Sequence, residues 1–83
     1  MAKIIKADGT VETIDKELTL EVMQKVVGGY IQIVTAPNGQ LIVLDEEGKI
    51  KGKSVNVRAT NLYGNPHDLI VGDVIVANND EID

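Results

Sequence analysis

The sequence predicts a small α+β fold, in which a mainly antiparallel sheet of about five strands carries one packed helix and a second short helix. The interior must be built from branched aliphatic side chains, because the 83 residues include 11 Val, 10 Ile and 6 Leu but only two aromatic residues. Branching at Cβ favours strands. Two hairpin patterns and one stretch of helical periodicity agree with this class. The length fits one domain, residues 1–83.

The first hairpin is predicted over residues 4–14. Two short extended runs, Ile4-Ile5 and the segment from Val11, flank the dipeptide Asp8-Gly9. Asp-Gly between such runs is typical of a type I′ turn, which needs positive φ at both central positions. We therefore expect two antiparallel strands at the start of the chain.

A helix is predicted over residues 18–27. Apolar residues follow Leu20 at the third and seventh positions after it, so one face of the helix is apolar and packs on the sheet. Thr19 is a suitable N-cap, and Gly28-Gly29 supplies a residue that can adopt the left-handed conformation at the end of a helix.

The clearest feature is a hairpin over residues 30–44. Two runs rich in β-branched residues flank Ala36-Pro37-Asn38-Gly39, which is typical of a type I turn followed by a bulge. The second run is apolar at four successive positions from Leu41, as expected for a strand that is covered on both faces. We therefore place that strand in the middle of the sheet.

The remaining segments have weaker patterns. Residues 45–48 read as a polar turn with solvated acidic side chains, and Asn56 is suited to cap a short helix that ends before Pro66. Residues 69–77 read as two strand pieces interrupted by a bulge or turn. The polar tail, residues 78–83, is expected to fray.

Composition excludes several classes of partner. The net charge of −5 argues against nucleic acid, which would be repelled. No apolar run is long enough to span a bilayer, and the absence of cysteine excludes disulfides and thiolate metal sites. We therefore expect a cytoplasmic protein without nucleic-acid or membrane partners.

One candidate ligand site follows from the distribution of basic residues. Residues 49–58 hold half of all the lysines and arginines of an acidic chain. In an extended segment, alternating lysines project from one face and attract a phosphate or carboxylate. The alternative is an edge strand that its lysines protect from aggregation. The proposed anion-binding residues are Lys49, Lys51, Lys53, Asn56 and Arg58.

The sequence predicts no catalytic site, no metal site and no cofactor. The single histidine, His67, lies in a turn sequence, and Ser54 is the only serine. Neither has a recognisable base or orienting partner. Residues 48–54 resemble a phosphate-binding loop but are one residue short of that motif. We therefore expect a protein that is not an enzyme.

Several segments, in order, resemble the family catalogued as domain of unknown function 3846, over roughly residues 19–77. They are Val27-Gly28-Gly29, Tyr30-Ile31-Gln32-Ile33-Val34, Asp45-Glu46-Glu47-Gly48-Lys49, Gly52, Asn56, Ala59 and Ile70-Val71-Gly72-Asp73-Val74. The chain departs from the family at Gly52-Lys53-Ser54-Val55, where Gly-Leu-Pro is frequent. The resemblance implies an accessory protein of a phage or mobile element and carries no biochemical activity.

Two functions remain open at this point. The first is a non-catalytic protein that acts through a protein partner or through self-association, using exposed strand edges. The second is a protein that sequesters a phosphorylated metabolite or signalling nucleotide to counter host defence, with residues 49–58 as its binding segment.

Overall fold

A computed structural model describes residues 1–82 and confirms the α+β class. The described residues contain two α-helices, α1 (Leu20–Val27) and α2 (Val57–Tyr63), and five strands. The strands are β1 (Lys3–Ile5), β2 (Val11–Thr13), β3 (Ile31–Thr35), β4 (Leu41–Asp45) and β5 (Val74–Ala77). They form one antiparallel sheet in the order β2-β1-β5-β4-β3. None of the helices in these residues has the length and hydrophobicity needed to cross a membrane.

Both predicted hairpins are present, and their turns share one geometry. In each, a backbone hydrogen bond closes the loop, from Lys6 to Thr10 and from Ala36 to Gln40, at 2.8 Å in both. The glycine of each turn has a positive φ, 94° at Gly9 and 89° at Gly39. The type I′ turn predicted at Asp8-Gly9 is wrong, because only the glycine has positive φ. Both turns carry the glycine bulge predicted for the second hairpin alone.

Helix α1 has the predicted caps. The Thr19 side chain accepts a hydrogen bond from the Val22 amide, and Gly28 ends the helix at φ 86°. The prediction that Leu20 lies on the packed face is wrong, since it is 56% exposed. Leu18, two residues before the helix, is buried instead, and its backbone forms an isolated β-bridge with Ile82.

The sheet is covered on both faces, so it separates two apolar clusters. On one face, Val43 and Ile75 pack with Met23 and Val27 of α1. The neighbouring strand residues, such as Ile42 and Val74, lie on the other face. There they pack with Ala59 of α2 and with Ile70, which precedes β5. This alternation confirms that the continuous apolar run of β4 belongs to a strand buried on both faces.

As predicted, β4 is an interior strand and not an edge strand, since it pairs with β3 and β5. The exact middle of the strand order is β5. All four residues of β5 are buried, and it pairs with β1 on one side and β4 on the other. The N-terminal hairpin reaches β5 only through long-range pairing, which no local pattern reveals.

The C-terminal part differs from the prediction in two further ways. Of residues 69–77, only β5 is a strand; Val71 makes a single bridge to Val55, and Gly72 turns the chain at φ 78°. The tail expected to fray contains a 3-10 turn at Asn79–Glu81, and Ile82 packs against the α1-side cluster. Asp83 lies outside the described residues.

Asn56 caps α2 as predicted and also joins three parts of the chain. Its side chain is fully buried, and its Oδ1 accepts a hydrogen bond from the Ala59 amide at 3.1 Å. Its Nδ2 donates to the carbonyls of Ile5 and Gly72 at 2.8 and 2.9 Å. One amide therefore ties α2 to β1 and to the turn before β5.

Asn56→Ala is expected to lower the free energy of unfolding by roughly 3 kcal/mol, because it removes a helix cap and the side-chain hydrogen bonds to the Ile5 and Gly72 carbonyls. Urea unfolding followed by circular dichroism measures the loss. The matched control is Asn61→Ala in the exposed part of the same helix, which we expect to cost well under 1 kcal/mol. Equal losses would contradict this role of Asn56.

Candidate functional site

The first distinctive site is built around a buried carboxylate, Asp45, at the end of β4. Its side chain is only 1% exposed, although the sequence predicts a solvated turn here. In the sheet it lies opposite Ile31 and on the same side as Val43, which is the face that α1 covers. A buried carboxylate is stable only when it is paired and hydrogen-bonded.

Two lysines supply that pairing. The Nζ atoms of Lys51 and Lys53 lie 2.9 and 2.8 Å from the same oxygen, Oδ2 of Asp45. The other oxygen, Oδ1, accepts a hydrogen bond from the Glu47 amide at 2.8 Å. Backbone turns over residues 45–53 fold the chain back on itself and return both lysines to the carboxylate. We call these three residues the Asp45 cluster: Asp45, Lys51 and Lys53.

The Asp45 cluster also caps the C-terminus of α1. Lys51 Nζ donates to the Gly28 carbonyl at 3.2 Å, and Lys53 Nζ donates to the Val27 carbonyl. The last carbonyls of a helix lack partners within the helix and carry its negative dipole end, so ammonium groups stabilise them. The cluster therefore joins α1, β4 and the loop after β4 in one place.

Two glycines make room for the lysine side chains. A Cβ on Gly29 would lie 2.5 Å from Lys51 Nζ and 3.1 Å from Asp45 Oδ1. A Cβ on Gly72, whose φ is 78°, would lie 2.8 Å from Lys53 Cδ. Both glycines belong to the segments that carry the family resemblance. The packing of the Asp45 cluster therefore favours glycine at both positions, and the positive φ of Gly72 favours it independently.

The pKa of Asp45 is held well below its usual range. Burial acts in the opposite direction and raises the pKa, but hydrogen bonds from Lys51, Lys53 and the Glu47 amide outweigh it. The hydrogen bond to Asp45 in turn raises the pKa of Lys51. Asp45 and Lys51 therefore both stay charged at neutral pH.

The predicted anion-binding residues do not form the extended face expected of them. Residues 48–52 are a series of turns, so both the alternating face and the protected edge strand are wrong as structures. The three lysines border three different clefts, and Lys49 pairs with Asp68. Arg58 is exposed on α2, whose packing residue Ala59 lies on the opposite sheet face from the Asp45 cluster. Anion binding by these residues stays a prediction.

The second distinctive site is the outer edge of β3. At the two ends of the strand, the Tyr30 carbonyl and the Ala36 amide make hydrogen bonds toward β4. Because this direction alternates along an antiparallel strand, every second residue between them turns its backbone groups away from the sheet. We call these outward groups the β3 edge; they belong to Ile31, Ile33 and Thr35.

The β3 edge lacks the features that usually keep an edge strand apart from other chains. No residue from 26 to 44 is charged, and β3 contains neither proline nor a bulge. Ile33 is 42% exposed and the adjoining Tyr30 is 68% exposed. The opposite edge, β2, is only three residues long and carries the ion pair between Lys6 and Glu12. The two edges of the sheet therefore differ in their capacity to bind another strand.

The Asp45 cluster predicts a non-additive effect of lysine removal. Lys51→Met or Lys53→Met alone leaves the buried carboxylate one ammonium, whereas the double variant leaves it none and is expected to lose about 3–5 kcal/mol of unfolding free energy. Chemical denaturation of the singles and the double gives the coupling. The control is Lys3→Met with Lys16→Met, two exposed lysines outside the cluster. Additive losses in the cluster would contradict the shared role.

The lowered pKa of Asp45 predicts a specific loss of stability in acid. Because the folded pKa lies below the value of about 3.9 in unfolded chains, the stabilisation is complete above about pH 5 and is lost as the pH falls toward the folded pKa. The unfolding free energies of the wild type and Asp45→Asn should therefore converge between about pH 5 and 2. Asp8 and Asp68, whose pKa values are also lowered by hydrogen bonds, contribute equally to both proteins. A constant difference would contradict the assignment.

Comparison with known proteins extends the resemblance found in the sequence. No curated protein and no solved structure is significantly similar to the chain. The family model for a domain of unknown function, DUF3846, matches residues 2–83, which is more than the 19–77 expected from the motifs. The match includes the first hairpin as well as the Asp45 cluster and the β3 edge. The chain therefore belongs to the DUF3846 family over its whole length.

Proposed function

We propose that this protein is a non-catalytic interaction module that binds a protein partner by adding a strand to the β3 edge. The supporting observation is a five-residue edge strand without charged residues, whose outward backbone groups have no partner among the described residues. It carries a partly exposed isoleucine. In strand addition, main-chain hydrogen bonds supply affinity and alternate side chains supply specificity. Ile31, Ile33 and Thr35 present the main-chain groups for such pairing.

The distribution of charge favours this role over the binding of a phosphorylated ligand. Lys51 and Lys53 are engaged by Asp45, and Lys49 is engaged by Asp68. An anion would have to compete with the protein's own carboxylates for these ammonium groups. The β3 edge, by contrast, has no internal partner for its outward backbone groups among the described residues.

We further propose that the protein acts in the cytoplasm as an accessory factor of a phage or mobile element. A small domain whose surface offers a strand edge is suited to modify the assembly of another protein without performing chemistry itself.

The proposal predicts that partner capture depends on the β3 edge. A tagged bait, co-expressed with an untagged copy in its native cells, is recovered together with its bound proteins, which are quantified by mass spectrometry. Ile33→Lys places a charge on the edge and is expected to reduce the recovery of a bound protein at least tenfold. Circular dichroism checks that the variant is folded.

The matched control is Val11→Lys, a similar substitution at the other edge strand, where Val11 is 43% exposed. It should leave the recovery unchanged. If no protein distinguishes the wild type from Ile33→Lys, strand addition at β3 is not the function.

A further inference from the structure

We infer that the strand bound by the β3 edge is β3 of a second copy of the chain, paired antiparallel about a two-fold axis at Ile33. The inference rests on the proposed function and names its partner. It joins the two sheets into one continuous sheet, and it removes the exposed edge of both copies at once.

The backbone groups are arranged symmetrically for this pairing. The three outward residues are evenly spaced with Ile33 at their centre. A two-fold axis at Ile33 places it opposite the partner's Ile33, and places Ile31 opposite the partner's Thr35. Each opposed pair of this kind exchanges two N–H···O bonds in an antiparallel ladder. Every outward donor and acceptor of the β3 edge is thereby satisfied.

The central side chains also match. Ile33 pairs with Val43 in its own sheet and so lies on the α1 face, but 42% of it is left uncovered. Directly opposed apolar side chains on one face are the favourable contacts of a sheet. Across the two-fold axis, each Ile33 covers the other.

The charges of the chain favour a neutral partner at this edge. Two copies with a net charge of −5 repel each other, yet residues 26–44 carry none of those charges. A charged partner strand could form no ion pair with the β3 edge, because the edge carries no charge. A second copy presents an equally neutral strand. Added salt screens the repulsion between the copies, so self-association should strengthen as ionic strength rises.

Sedimentation velocity on the purified chain tests the inference. We expect a concentration-dependent dimer of twice the 8.9 kDa monomer mass, strengthened between 50 mM and 500 mM NaCl. Ile33→Lys and, as a second variant at a more tolerant exposed position, Thr35→Lys should both sediment as monomers. Val11→Lys should remain dimeric.

Disulfide cross-linking tests the register of the two strands. Because the chain contains no cysteine, each introduced cysteine can cross-link only to another introduced cysteine. Opposed residues of a hydrogen-bonded pair have Cα atoms about 5.5 Å apart, within the range that a disulfide spans. Ile33→Cys should therefore cross-link to itself. Gln32→Cys and Val34→Cys should cross-link efficiently only when mixed, because the two-fold axis places each opposite the other.

The outcomes separate this inference from the proposed function. A monomer at all concentrations and salt levels, or a dimer that persists in Ile33→Lys, overturns the self-pairing. The chain could be monomeric while the wild type captures some other protein that Ile33→Lys does not capture. In that case strand addition stands, and the second copy is the wrong partner. If neither association depends on Ile33, both proposals fall.

Discussion

The pairing of the buried Asp45 carboxylate with two ammonium groups is the interaction on which the surrounding structure depends. It places a charge at the end of an interior strand, where burial is costly unless the charge is neutralised. Both lysines come from the loop after β4, and both also bind the last carbonyls of α1. The turns of that loop, the end of the helix and the close approach of the lysines to Gly29 and Gly72 therefore meet in one arrangement.

Asn56 performs the corresponding task for α2. Its buried amide joins the start of α2 to β1 and to the turn before β5. The long segment between β4 and β5 contains little regular structure besides α2 and is held by these two polar anchors. In a small domain with a limited core, such anchors select one packing of irregular chain from many.

The elements that the sequence predicts well depend on local chemistry. The Thr19 and Asn56 caps, the glycine at the end of α1 and the second hairpin turn involve residues within a few positions of each other. The pairing of β5 with both β1 and β4 and the Asp45 cluster are not predicted, because contacts between distant segments set them. One signal for the cluster was available: Asp45 directly follows four apolar residues of an interior strand, where a solvated side chain is unexpected.

The two distinctive sites are connected through the hairpin. Asp45 lies opposite Ile31, the first residue of the β3 edge. The cluster also packs against Gly29, so it holds the N-terminal end of β3 in place. At the other end, the Asn38 side chain accepts a hydrogen bond from the Gln40 amide and stabilises the turn. With both ends held, β3 is extended and ordered before any partner arrives. An edge ordered in advance loses less conformational entropy on binding, which raises the affinity available from the same backbone hydrogen bonds.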